Sequence, residues 1–308
     1  MLDIFQKTLL KNFNFEGIGL HNGEKSRVTV KPSKGNSGIV FKRTDLNKDN
    51  IIQADFTNVH TAKLCTTLIN SSGTKISTVE HLMAAFYFTG IDNAIVEINN
   101  SEIPIMDGSA KDFVKLIKEA GLKDLKEKRT FLKIIKPLDL VDGEKRISIE
   151  PSDFGMEVDF KLEYKNELIG NQRNNVKFYQ EDITDIYSSR TFCLFEDIEK
   201  IKANGLAKGG SLDNALVVKG NQVLNEDGMR NSKEFVNHKI LDLAGDFLLS
   251  GHRILGKIKC VQGGHYLSNI FLKKLIKNDS CFVKSSFNNI KIIKKDYENS
   301  IQKLAVSA

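Results

Sequence analysis

Short segments in the first part of the chain alternate apolar and polar residues with the period of two that is typical of β-strands. Longer segments between them carry apolar residues at helical spacing, and Gly121 ends the second of these. The pattern predicts strands over residues 26–31, 38–42 and 93–98 and helices over residues 78–89 and 109–120.

The strand pattern restarts after a lysine-rich stretch, residues 123–129, which is the best candidate for a linker. The second part of the chain predicts strands over residues 131–135, 146–150, 156–163, 215–218 and 257–261 and helices over residues 197–204 and 234–250. Because the strands come in runs and helices do not follow every strand, the order predicts an α+β fold of packed layers rather than a doubly wound parallel sheet. The two parts show no sequence repeat.

The helix predicted over residues 234–250 carries His238, Asp242 and Asp246 at positions i, i+4 and i+8, so the three side chains share one stripe. Apolar residues cover the other faces. Polar groups in apolar surroundings cost free energy unless they are satisfied. A divalent cation would satisfy His238 and Asp242 together; the alternative is a hydrogen-bonded pair on a half-exposed helix.

Glu80 and His81 stand at the start of the first predicted helix. Ser77 and Glu80 have the spacing of a capping box, which would account for the glutamate without chemistry. His81 enters an apolar helix, however, and together with His238 and Asp242 it would complete the three protein ligands of a catalytic zinc site. Zinc lowers the pKa of its water toward ~7, and a carboxylate such as Glu80 could take that proton.

His265 follows two glycines at the end of a predicted strand, where a flexible backbone can present its ring into a cleft. Asp246 could hydrogen-bond the ring and keep it protonated. The alternative is an ordinary loop histidine.

Composition narrows the class of protein. The 308 residues carry a formal charge of only +6, without an arginine-rich block interleaved with aromatics, so nucleic acid is not an expected partner. The four cysteines form no C-x-x-C pair, which is typical of a reducing compartment. With no signal-peptide pattern and no apolar run near ~20 residues, we expect a cytoplasmic protein without membrane insertion.

Taken together, several motifs resemble those of the UDP-3-O-acyl-N-acetylglucosamine deacetylases of lipid A biosynthesis, in the same order along nearly the whole chain. The matching segments are residues 17–23, 64–68, 76–82, 90–94, 102–110, 190–192, 209–215, 223–228 and 235–246. The resemblance implies a zinc-dependent amidase that acts on a small-molecule UDP-sugar with a fatty acyl chain. It also implies two similar layered α+β domains, residues 1–126 and 127–308, with the active site at their interface, and we expect a monomer.

The resemblance assigns roles to individual residues. His81, His238 and Asp242 would hold Zn²⁺, and Glu80 would be the base that activates the zinc-bound water. His265, kept charged by Asp246, would stabilise the oxyanion and help to protonate the departing amine, while Thr191 would donate a hydrogen bond to the tetrahedral intermediate.

For the substrate, the resemblance implies that Lys239 faces the phosphate or sugar side. An insert at residues 195–218 would form a hydrophobic passage for the acyl chain. The other predicted substrate-binding residues are Phe192, Phe160, Ile198, Gly210, Ser211, Ala215 and Val217, with Phe160 as the candidate for stacking on uracil. Two further hypotheses stay open: a binding module that has lost its chemistry, and a zinc amidase acting on a different acylated sugar.

Overall fold

The computed structural model describes residues 4–152 and 155–286, so residues 287–308 of the predicted second domain lie outside the described residues. Two helices lie in the first half of the chain, α1 (Glu80–Thr89) and α2 (Lys111–Ala120). The strands of this half are β1 (Phe5–Leu9), β2 (Phe13–Ile18), β3 (Lys25–Pro32), β4 (Ile39–Arg43), β5 (Ile51–Gln53), β6 (Val59–Thr61), β7 (Thr67–Ile69), β8 (Lys75–Ile76), β9 (Ala94–Ile98) and β10 (Leu122–Lys128).

The second half contains the longest described helix. Its helices are α3 (Thr184–Tyr187), α4 (Ile198–Ala203), α5 (Glu234–Leu248) and α6 (His265–Lys277). Its strands are β11 (Thr130–Ile134), β12 (Leu138–Asp142), β13 (Lys145–Pro151), β14 (Met156–Glu163), β15 (Asn171–Lys177), β16 (Phe192–Leu194), β17 (Leu216–Lys219), β18 (Gln222–Val223), β19 (Arg253–Val261) and β20 (Phe282–Ser286).

The two halves repeat one sheet topology. In the first half the strand order is β2-β3-β9-β4-β5, and only β4 and β9 run parallel. In the second half the corresponding path is β12-β13-β19-β14-β15, and only β14 and β19 run parallel along it. In each half one long helix precedes the central strand and another follows it. The predicted α+β fold is confirmed.

The lysine-rich stretch, predicted as a linker, is an ordered strand. It forms β10, which pairs antiparallel with β1 in a two-stranded ribbon. Most of its side chains are exposed, including Lys123, Lys126 and Lys128. Lysines of this kind are typical of exposed strand edges, where they oppose pairing with other chains. The charge pattern therefore reflects an exposed ribbon rather than an unstructured connection.

Two buried arginines bind the C-terminal end of α1. Arg253 donates to the carbonyl of Tyr87 at 2.8 Å, and Arg129 donates to the carbonyl of Gly90 at 2.9 Å. Both guanidinium groups also contact the carboxylate of Asp92. Cations stabilise the negative end of a helix dipole, and the shared carboxylate compensates for their burial. Since Arg253 begins β19, these contacts fix α1 relative to the second sheet.

Helices α1 and α5 approach each other unusually closely at Gly245. A Cβ atom built at this position would lie 2.1 Å from the carbonyl oxygen of Glu80 and 3.0 Å from the backbone nitrogen of Ala84. Glycine costs a helix interior about 1 kcal/mol relative to alanine. Here the missing side chain allows contact between the two backbones, and Asp242 and Asp246 flank that contact.

Gly245→Ala is therefore expected to lower the free energy of unfolding by about 1–3 kcal/mol, because overpacking outweighs the gain in helix propensity. Urea denaturation measures the change. Gly264→Ala is the matched control, since a Cβ there meets no atom within 4 Å. If both variants were equally stable, the close approach of the helices would be refuted.

Candidate metal centre

Two imidazoles and one carboxylate from the central helices lie close together. His81 is in the first turn of α1, and His238 and Asp242 are one turn apart in α5. The Nε2 atoms of His81 and His238 lie 3.5 Å and 3.3 Å from Oδ1 of Asp242, and all three side chains are buried. Their candidate ligand atoms lie within 4.8 Å of one another. The structure thus brings together the three residues that the sequence predicts as metal ligands.

The donor atoms of this cluster fit a zinc ion. Nδ1 of His238 lies 3.1 Å from the carbonyl oxygen of Ser189, which can only accept, so this nitrogen carries the proton and Nε2 keeps its lone pair. Oδ1 of Asp242 is buried without a hydrogen-bond partner among the described residues. Two ligand atoms bound to a tetrahedral zinc ion are about 3.3 Å apart, which is close to the spacings seen here. A half-exposed His–Asp pair does not fit, because both side chains are buried.

The electrostatic surroundings keep His238 and Asp242 in the protonation states that a metal requires. Burial lowers the pKa of His238 to about 3, so its imidazole is neutral. Burial alone would raise the pKa of Asp242, but its interactions with His238, Lys239 and His265 hold it well below its usual range. A neutral imidazole beside an ionised carboxylate is the ligand chemistry that zinc prefers.

Glu80 lies beside the cluster and is only 3% exposed. Its Oε2 accepts a hydrogen bond from the backbone nitrogen of Thr66 at 3.0 Å. The alternative of a capping box is excluded: Ser77 donates to the carbonyl of Ser101, and no described side chain caps α1. Thr78 has a φ of 57°, in the left-handed region, so the chain turns sharply between Ser77 and the helix.

His265 lies next to Glu80 and is held by Asp246. Its Nδ1 lies 2.9 Å from Oδ2 of Asp246, and its Nε2 lies 3.6 Å from Oε1 of Glu80. Burial opposes protonation, but the charges of Asp246, Asp242 and Glu80 raise the pKa of His265 to about 10. Burial also raises the pKa of Glu80. The ring is therefore charged at neutral pH and faces a carboxylate whose affinity for protons is increased.

Sequence reasoning missed two groups that contact this site. The carbonyl of Ser189 orients His238, and Thr66 donates to both Glu80 and Asp246. Thr66 lies within a segment noted for its resemblance, residues 64–68, but nothing local indicates its partners. A backbone carbonyl leaves no signal in a sequence at all.

A buried ion pair positions the loop that carries Ser189 and Thr191. Nε of Arg190 lies 2.9 Å from Oε1 of Glu234, and both side chains are almost fully buried. Because Glu234 is the first residue of α5, the pair ties this loop to the helix that carries His238. The backbone nitrogen of Thr191 donates to the carbonyl of Gly108 at 2.8 Å. The role of the Thr191 side chain stays a prediction.

Aromatic residues and a lysine lie beside the candidate ligands. Lys239 donates to Oδ2 of Asp242 at 2.8 Å and lies over the ring of Phe192 at 5.7 Å. The ring of Tyr164, which is 37% exposed, packs edge-on against Phe192 at 5.8 Å. Phe160 is 1% exposed in the core, so stacking on a base would require its neighbours to move.

The predicted acyl-passage insert, residues 195–218, contains α4 and most of β17, and β17 runs parallel to β16, which immediately precedes the insert. It packs on the first half of the chain, where the nitrogen of Gly209 donates to the carbonyl of Leu20 at 3.1 Å. The predicted wall residues comprise exposed Gly210 and Ser211, half-buried Ile198, and buried Ala215 and Val217. Their contact with an acyl chain stays a prediction.

His21 contacts the same insert. Its Nδ1 accepts a hydrogen bond from the nitrogen of Ala207 at 3.4 Å, so Nε2 carries the proton. That nitrogen is buried and has no partner among the described residues. Burial lowers the pKa of His21; the charge of Glu102 opposes this shift, and the charge of His265 adds to it. The neutral ring is thus a donor without a partner among the described residues, within electrostatic range of His265.

Among the described residues, no helix is both long enough and apolar enough to cross a membrane.

The model of the UDP-3-O-acyl N-acetylglycosamine deacetylase family matches residues 6–277. The chain is similar to the UDP-3-O-acyl-N-acetylglucosamine deacetylase of Geobacter sp. (strain M21), with 42% identity over 92% of this chain and 93% of that protein. It is 40% identical to the enzyme of the same name from Histophilus somni (strain 129Pt), over 97% and 99% of the two chains.

The match therefore spans both halves of the molecule and includes every residue of the cluster around Asp242. The chain belongs to the UDP-3-O-acyl N-acetylglycosamine deacetylase family.

Proposed function

We propose that this chain is a zinc-dependent deacetylase that hydrolyses the N-acetyl amide of UDP-3-O-acyl-N-acetylglucosamine. The products are acetate and UDP-3-O-acyl-glucosamine. The reaction belongs to lipid A biosynthesis and takes place in the cytoplasm. The main support is the buried cluster of His81, His238 and Asp242, with the Glu80–His265 pair beside it. The names of the similar proteins support the substrate.

Zinc held by His81, His238 and Asp242 would lower the pKa of water toward ~7 and polarise the amide carbonyl. Glu80 accepts the proton of the attacking water, and its raised pKa makes it a stronger base than an exposed glutamate. The hydrogen bond from Thr66 occupies Oε2, so Oε1 is the oxygen that faces His265 and the site. Water adds to the carbonyl carbon, and the carbonyl oxygen becomes negatively charged.

His265 is the acid in this reaction. Its positive charge stabilises the oxyanion, and its Nε2 proton passes to the amide nitrogen as the carbon–nitrogen bond breaks. Asp246 holds the ring by Nδ1, so Nε2 is directed toward the site. Thr191 donates a hydrogen bond to the same oxyanion. The acetyl group leaves as acetate, and the sugar keeps a free amine.

The substrate-binding groups lie around this centre. Lys239 supplies a compact cation for the phosphate or sugar side, next to Asp242. Of the aromatic candidates for stacking on uracil, Tyr164 offers an exposed ring beside Phe192, whereas Phe160 is enclosed. The insert at residues 195–218 receives the acyl chain, lined by Ile198, Gly210, Ser211, Ala215 and Val217.

One experiment tests this function directly. Purified protein is analysed for metal and assayed for release of acetate from UDP-3-O-acyl-N-acetylglucosamine, with and without a chelator. We expect about one zinc ion per chain and activity that a chelator removes and zinc restores. Binding of the substrate without turnover would indicate a module that has lost its chemistry. Equal turnover of nucleotide-free acylated sugars would indicate a different substrate.

The rate should show a bell-shaped dependence on pH. Glu80 must be ionised to accept a proton, so kcat/KM falls as the pH drops through its raised pKa. His265 must be protonated, so kcat/KM falls again as the pH rises through a pKa of about 10. A bound dication lowers both pKa values. His265→Gln should remove the alkaline limb; an unchanged alkaline limb in that variant would assign it to another group.

A further inference from the structure

Thr66 lies in the loop immediately before β7, and its side chain is 2% exposed. It is neither a candidate metal ligand nor one of the proposed catalytic residues. Its position is nevertheless central, because it lies between the first turn of α1 and the C-terminal part of α5. These are the two elements that carry the base and the residue that orients the acid.

Thr66 makes one hydrogen bond to each of these elements. Its backbone nitrogen donates to Oε2 of Glu80 at 3.0 Å. Its hydroxyl donates to Oδ1 of Asp246 at 2.6 Å, a short bond of the kind that a charged acceptor forms. The two donors of a single residue therefore fix two carboxylates that come from distant parts of the chain.

Each bond occupies one oxygen of its carboxylate and leaves the other oxygen facing the ring of His265. With Oε2 of Glu80 occupied, Oε1 lies 3.6 Å from Nε2 of His265. With Oδ1 of Asp246 occupied, Oδ2 lies 2.9 Å from Nδ1 of His265. The Thr66 hydroxyl also lies 3.4 Å from that same Nδ1. The imidazole is thus oriented by a carboxylate that Thr66 itself holds in place.

We infer that Thr66 is a positioning residue for the deacetylation, holding Glu80 and the Asp246–His265 pair in register across the two halves of the molecule. The inference rests on the proposed function of those three residues. Outer groups that orient functional side chains typically change the activity of such sites 10–100-fold when they are removed. A displacement of about 1 Å between base and acid is enough to produce a loss of that size.

The test removes the hydroxyl of Thr66 but keeps a side chain of the same shape. Thr66→Val should lower kcat about 10–100-fold, with KM and zinc content near those of the unaltered protein. Thr66→Ser keeps the donor and should restore most of kcat. Thr67→Val is the matched control, since the hydroxyl of this neighbour faces the sulfur of Cys65 at 3.7 Å rather than a catalytic group. Thermal denaturation and metal analysis accompany each assay.

A double-mutant cycle separates positioning from general destabilisation. If the hydroxyl acts through Asp246, adding Thr66→Val to Asp246→Asn should slow kcat little further. Should Thr66→Val fail to fold, Thr66→Ala removes the same donor with less crowding and is interpreted in the same way. The inference is wrong if Thr66→Ser is as slow as Thr66→Val, or if the valine variant keeps normal kcat while Glu80→Gln is inactive. Normal turnover in Glu80→Gln itself would refute the proposed function instead.

Discussion

Glu80→Gln is expected to reduce kcat/KM about 10³-fold, within the range typical of a lost general base, while zinc binding is retained. Glutamine has the size of glutamate, and its side-chain oxygen can still accept the hydrogen bond from the nitrogen of Thr66. It cannot accept a proton from water. The candidate ligands do not include Glu80, so the metal site should persist.

Steady-state kinetics and metal analysis of the same preparation measure both quantities. Glu119→Gln, an identical change on the exposed face of α2, serves as the control and should behave as the unaltered protein. Loss of zinc together with activity would instead place Glu80 among the groups that hold the ion. Near-normal turnover would remove it from the mechanism.

His238→Ala is expected to remove both zinc and activity. A catalytic zinc site uses three protein ligands, and the loss of one should weaken affinity well beyond the 10–100-fold that outer groups typically contribute. The helix should tolerate the change, since alanine has the highest helix propensity. The cavity left by a buried imidazole is expected to lower stability by about 2–5 kcal/mol.

Zinc content after dialysis against a weak chelator, followed by titration with added zinc, gives the affinity. His252→Ala is the control, because this half-buried histidine lies outside the cluster and should leave the zinc content unchanged. Unaltered zinc binding in His238→Ala would show that the cluster is not the site. In that case the proposed roles of His81 and Asp242 would also have to be withdrawn.

Local sequence patterns predicted most of the elements that carry the site. The helix expected over residues 234–250 is α5, and its apolar faces are buried as the pattern requires. Local patterns were ambiguous where the same residues are compatible with two different structures. Ser77 and Glu80 have capping-box spacing, but the left-handed conformation of Thr78 takes Ser77 away from the helix. The lysines of residues 123–129 are as typical of an exposed edge strand as of a linker.

The repeated sheet topology was not detectable as a sequence repeat. Buried strands require only apolar residues at alternating positions, so many sequences fit the same path. Likewise, the resemblance to the deacetylases indicated Glu80, His81, His238, Asp242 and His265 by motif. It did not supply the distances on which their chemistry depends.

By itself, the sequence determined the spacing of side chains within each helix, because helical geometry places residues four positions apart on one face. That was enough to put His238, Asp242 and Asp246 on a single stripe. Only the tertiary structure decided that His81 meets them, since this contact joins residues that are far apart in the chain and depends on the close packing of α1 against α5 at Gly245. The hydrogen bonds from Thr66 to Glu80 and Asp246 also depend on the tertiary structure, because they form only when both helices are packed.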